Sequence, residues 1–90
     1  MMLKPSFDEA IDRVFVVYES ETKGVMVTQL ADCDTGSRYS IETSGTTTKL
    51  RKWTPRNGRA HIVATYKSQS REAARKKHFG VVGWVQREGV

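Results

Sequence analysis

Two aspartates one residue apart, one cysteine and two histidines are the side chains here that could do metal or covalent chemistry, and their spacing argues against both. Asp32 and Asp34 begin as a calcium loop does, but Gly36 arrives one position early and no glutamate closes the loop. His61 and His78 would need Cys33 or carboxylates to complete a zinc site, and their separation matches no standard zinc pattern. Cys33 could act as a nucleophile beside either histidine, yet a single buried cysteine is usually inert packing. Ser68 and Ser70 stand where helix caps are expected, and no glycine-rich phosphate loop occurs. The expectation is a protein that is not an enzyme, with no metal and no cofactor.

Binding of a polyanion is better supported, because charge is segregated along the chain. Residues 1–44 carry four basic side chains (Lys4, Arg13, Lys23, Arg38) against eight acidic ones, a net of about −4. Residues 45–78 carry ten basic side chains opposed only by Glu72, a net of about +9. A merely soluble surface would intersperse the signs. This pattern predicts a two-faced molecule whose cationic face meets a polyanion, and nucleic acid is the commonest one inside cells, with DNA ahead of RNA.

Ninety residues predict one domain with a small core. Mean hydropathy of −0.53 is on the polar side, so a homodimer or a ligand could supplement a marginal interior. A lone cysteine allows no intrachain disulfide and fits a reducing cytoplasm. The N-terminus lacks a signal-peptide pattern and no stretch of about 18 apolar residues occurs, so no membrane association is expected.

The elements that must position these side chains read as α+β. Ser6-Phe7-Asp8-Glu9 has the form of a capping box and predicts a short helix over residues 6–12. The β-branched and aromatic run from Val14 to Tyr18 predicts a strand, and Val25 to Leu30 its hairpin partner across a turn at residues 21–24. After a turn at residues 32–37 come a strand over 38–43 and a hairpin pairing about 46–53 with 59–67 across Pro55-Arg56-Asn57-Gly58. Ser68 is expected to cap a helix over 69–79 that Gly80 ends, with a last strand over 81–86. The sum is a mainly antiparallel sheet of about five or six strands with a short N-terminal helix and one C-terminal helix packed on it.

On the 59–67 strand, Ala60, Ile62, Ala64 and Tyr66 are expected to face the core, and Arg59, His61, Val63, Thr65 and Lys67 the other side. A three-residue loop at 56–58 would pair Leu50 with Ala64 and put Trp53 beside Arg51 and Lys49 on a solvent face; loops of two or four residues would bury it. An exposed Trp53 among cations has the composition that holds unpaired bases. On the helix, Arg71, Arg75 and His78 fall on one ridge, while cations in its last turns also suit the helix dipole. The candidate nucleic-acid contacts are Lys49, Arg51, Lys52, Trp53, Arg56, Arg59, Lys67, Arg71, Arg75, Lys76 and Lys77.

Two short resemblances accompany this. Asp34-Thr35-Gly36 resembles the tripeptide of the aspartic proteases, whose retroviral members pair one such carboxylate from each subunit. Asp32 and Cys33 stand where that family has an apolar strand, and no glycine-rich flap is present, so an Asx turn is the plainer reading. The C-terminal half is similar in layout to the WGR domain, through Trp53, Gly58, Arg59 and the run from Tyr66-Lys67-Ser68 to Glu72-Ala73. That layout implies DNA binding, but Thr54 and Pro55 follow Trp53, so the defining tripeptide is missing.

The reading is a small non-enzymatic nucleic-acid-binding protein that uses the basic hairpin and helix. The alternative is an interaction or inhibitor protein, of the kind small phage and mobile-element genes encode, that docks its basic face on an acidic protein surface. Head-to-tail self-association of acidic and basic halves is a third arrangement.

Overall fold

The computed structural model describes residues 13–56 and 58–89. They form β1 (Val14–Thr22), β2 (Val25–Asp32), β3 (Arg38–Ser44), β4 (Thr47–Trp53), β5 (His61–Lys67) and α1 (Arg71–Glu88). The expected helix over residues 6–12 lies outside the described residues.

The strands make one antiparallel sheet in the order β1-β2-β3-β4-β5, so neighbours in sequence are neighbours in space. Such a meander needs only tight turns, and the chain supplies residues that make them. Lys23 and Gly24, both at positive φ (54° and 79°), form the two-residue loop between β1 and β2. Between β2 and β3 the buried carboxylate of Asp32 organises the turn. Its Oδ1 accepts the N–H groups of Asp34 (2.9 Å) and Thr35 (3.3 Å), and Arg13 Nε lies 3.5 Å from Oδ2. Gly36 closes this turn at φ 79°, where a Cβ would also meet Pro55 Cγ at 2.9 Å. The Asp-Thr-Gly tripeptide thus lies in a turn whose Asx bonds come from Asp32, packed against the neighbouring loop.

One face of the sheet is dry. Val14, Leu30, Tyr39, Ile41 and Leu50 form the core with Val81, Val82 and Val85 of α1, and Ala64 and Tyr66 pack at its margin. Ser70, rather than Ser68, caps α1 by accepting the Ala73 N–H at 3.0 Å; the Ser68 N–H bonds to Thr46 O at 2.8 Å instead.

The helix does not stop at Gly80. It runs through Gly80 and Gly83 to Glu88, with Gly89 (φ 62°) as its C-cap, so the expected strand over 81–86 and the closing β-α-β order do not form. The reason is the buried stripe Ala74, His78, Val81, Val82 and Val85, which recurs at helical spacing. Burying three valines at roughly 1.5–3 kcal/mol each outweighs about 1 kcal/mol per helical glycine.

A second correction concerns β5. Leu50 pairs with Ala64, as a three-residue loop would require, but the register then shifts so that Arg51 pairs with Ile62 and Lys52 with His61. That bulge turns the start of β5 over. Ile62, expected in the core, is 57% exposed and opposite Arg51, and Ala60 is exposed as well. Among the described residues no helix is long and apolar enough to cross a membrane.

Candidate nucleic-acid interface

Side chains alternate across strands, so the residues between the core positions define the other face, which no described element covers. On β3 these are Arg38, Ser40, Glu42 and Ser44, and on β4 Thr47, Lys49, Arg51 and Trp53. Thr65 and Lys67 of β5 continue the face, paired with Lys49 and Thr47. A shallow recess of about 400 Å³ opens there, lined by Glu42, Ser44, Thr47, Lys49, Arg51, Thr65 and Lys67.

Within it, Arg51 donates to Glu42 at 3.0 Å, which neutralises the one carboxylate of the lining. Lys49 and Lys67 make no ion pair with any described residue. Trp53 lies at one end of the face, half-buried, opposite Arg38 in the ladder and two residues from Arg51. The meander carries the charge order of the sequence directly into space. Glu19 and Glu21 lie on β1 at the far edge but on the helix side, opposite the buried Thr28 and Met26, and the cations lie on β4 and β5.

The residues predicted to contact phosphates fall on two sides of the sheet. Lys49, Arg51, Trp53 and Lys67 share the open face. Arg56 and Arg59 are exposed in the β4–β5 connection. Lys52 points to the helix side, with Nζ 5.7 Å from the centre of the Tyr39 ring. Arg71, Arg75, Lys76 and Lys77 belong to α1, which packs on the opposite face. Arg75 is engaged there, donating to Glu21 at 2.7 Å. Arg38 was missed because it sits in the acidic half of the chain, although its ladder position opposite Trp53 follows from strand pairing. The hydroxyls of Ser44, Thr47 and Thr65 were missed because small polar residues on a strand carry no motif.

His78 follows Arg71 and Arg75 along one ridge of the helix but, unlike them, is fully buried. Its Nε2 lies 2.8 Å from Thr28 Oγ1 and its Nδ1 2.8 Å from Thr43 Oγ1, which in turn is 2.8 Å from Thr48 Oγ1. A neutral imidazole has one donor and one acceptor nitrogen, so this chain of hydroxyls satisfies it without charge. Burial pushes the His78 pKa below its ordinary 6.5, and the charge of Arg75 pushes the same way against Glu19 and Glu21. For Asp32, burial alone would raise the pKa, but the two turn N–H groups and Arg13 hold it below its ordinary 3.8.

These two buried groups hold the fold together and face no solvent. Cys33 is free and exposed. No group of three histidine, cysteine, aspartate or glutamate side chains able to hold a metal occurs among the described residues. What the fold defines is a five-stranded meander with one face sealed by a helix and the other open, polar and cationic over β3 and β4 and bordered by the exposed Phe15, Tyr18 and Ile62. Comparison with protein-family models, with curated proteins and with solved structures finds no match to this chain.

Proposed function

We propose that this protein binds nucleic acid without catalysis, laying the β3–β5 part of its open face against the phosphate backbone. The observation that carries this reading is the recess in which Lys49 and Lys67, free of carboxylate partners among the described residues, stand beside the hydroxyls of Ser44, Thr47 and Thr65. Cations and hydroxyls together are the donor set that takes phosphate oxygens. Trp53, flanked by Arg38 and Arg51, supplies a ring edge for a base or sugar at one end. The exposed Cys33 suits a reducing compartment such as the cytoplasm.

The test is fluorescence anisotropy with labelled duplex DNA, single-stranded DNA and RNA at about 50 and 200 mM salt, a range over which phosphate-driven binding collapses. Micromolar or tighter binding that weakens steeply with salt is expected, with duplex DNA ahead. Replacing Lys49 and Lys67 by glutamine should cost at least about tenfold in affinity and flatten the salt slope by about two. The same change at Lys76 and Lys77, across the sheet, should cost less than about twofold. Absence of binding to all three ligands at low salt would sink the proposal.

A further inference from the structure

On the side of the sheet away from the recess, α1 packs against β1, β3 and β4. Beside it, toward β5, a groove of about 550 Å³ remains open, lined by Tyr66 and by Ala73, Lys77, Gly80, Val81 and Trp84 of the helix. Lys76 completes the lining, and no carboxylate belongs to it.

Three observations bear on what the groove holds. The first is that β5 is the last strand of the sheet, so its outer edge presents backbone N–H and C=O groups that no described strand pairs. On that strand Val63 is 42% exposed. The second is Gly80, which sits inside an 18-residue helix where glycine weakens the structure. Apart from its chain neighbours and the backbone of its own helix turns, no atom lies within 4 Å of where its Cβ would be, so no packing contact within the described chain requires a glycine there. Its missing side chain leaves the groove deeper. The third is charge, because Lys76 and Lys77 are the ionisable side chains of an otherwise aromatic and aliphatic lining, with Lys77 Nζ 5.1 Å from the centre of the Tyr66 ring.

We propose that this groove binds an extended acidic peptide segment of a partner protein, which adds to the outer edge of β5 as a sixth strand. A groove between an edge strand and a helix suits strand addition, with main-chain bonds giving affinity and alternate side chains giving specificity. Side chains at every second position turn toward the helix, and among these the apolar ones enter between Tyr66 and Trp84 while carboxylates two residues away on the same face meet Lys76 and Lys77. The backbone edge selects a polypeptide over a nucleic acid, which has no matching series of N–H and C=O groups, and the two lysines select an acidic sequence. The site is independent of the open face, and both could be occupied together.

The probes are three labelled eight-residue peptides: one with leucine, glutamate, phenylalanine and glutamate at its odd positions and threonine between them, so that apolar and acidic side chains share one face, the same with lysine for glutamate, and the acidic one with serine for its apolar residues. The first should bind at least about tenfold more tightly than either control, since only it satisfies both edge and groove. Gly80→Leu fills the groove with a better helix former, so it should lose about tenfold or more in affinity while melting no lower than the parent. Lys76→Glu with Lys77→Glu should reverse the preference to the lysine peptide. An N-methylated backbone at the centre of the first peptide should abolish binding. Equal affinity for the three peptides, or undiminished binding by Gly80→Leu, would overturn the proposal. So would displacement of an apolar dye from the groove by oleate but not by the acidic peptide, which would assign the site to an anionic amphiphile.

Discussion

Thr43 and Thr48 lie side by side at the tip of the β3–β4 hairpin, as do Ser44 and Thr47 one position further on, and the two pairs meet opposite fates. The first pair faces α1, where Thr43 bonds both Thr48 and His78 and no hydroxyl reaches water. The second faces the open side and contributes its hydroxyls to the recess beside Lys49 and Lys67. Residue type is therefore a poor guide to role here. What separates the pairs is whether a helix covers them, and the helix that covers one face brings the imidazole that satisfies its hydroxyls. Polar groups on the sealed face should matter for stability, and those on the open face for binding.

The largest expected effect tests that division directly. His78→Ala should destabilise the protein by about 3 kcal/mol, because it opens a cavity, strands the hydroxyl of Thr28 in a dry interior and leaves Thr43 only its bond to Thr48. Lys49→Ala, on the other face, should stay within about 0.5 kcal/mol of the parent. Urea unfolding of both variants measures the difference. Comparable losses would mean that the open face is also part of the core, and would remove the basis for reading it as a binding surface.

A smaller effect should appear on titration. Because His78 has a folded-state pKa below 6.5, the unfolded chain takes up a proton more readily than the folded one. Its contribution is complete above pH 6.5 and is lost as pH falls from there through the folded value, with a slope that cannot exceed about 1.4 kcal/mol per pH unit for one proton. Asp32 acts lower: its contribution is present above pH 3.8 and is lost as pH falls through its depressed folded value. Unfolding free energies measured from about pH 8 to pH 4 should fall for the parent and run flatter in His78→Gln, which cannot be protonated. Parallel curves would show that His78 is not the group being protonated.

Much of the architecture was legible because a meander writes its topology into short-range signals. Turn residues and β-branched runs mark β2 to β5 within two residues, whereas β1 runs on to Thr22 through part of the turn expected at 21–24, and the face taken by Trp53 stayed open because it turned on the hairpin register. What failed were decisions that depend on tertiary context. Gly80 is a reasonable helix stop by itself; only the stripe continuing through Val81, Val82 and Val85 onto the sheet carries the helix past it. The bulge that exposes Ile62 has no local mark at all. The candidate site was half legible. Counting cations identified Lys49, Arg51 and Lys67, but the same count included Arg71, Arg75, Lys76 and Lys77, which the fold puts across the sheet. Arg38 came to the face only through strand pairing, against the acidic character of its own segment.

The finest distinction between the faces concerns the Arg51–Glu42 pair. Its 3.0 Å contact is shorter than that of the Arg13–Asp32 pair at 3.5 Å, yet both its side chains are partly exposed, at 29% and 40%, whereas Asp32 is 2% exposed. Water and salt screen the exposed pair and compete with it, so a double-mutant cycle with Arg51→Gln and Glu42→Gln should give a coupling below about 1 kcal/mol that shrinks as salt is added. The same contact has more leverage on binding. Glu42→Gln removes the one negative charge from the recess and frees Arg51 to reach a phosphate, so it should tighten nucleic-acid binding and steepen its salt dependence by up to about one. A change in stability without a change in affinity would place Glu42 in the scaffold and move the phosphate site toward Lys67 and the β5 edge.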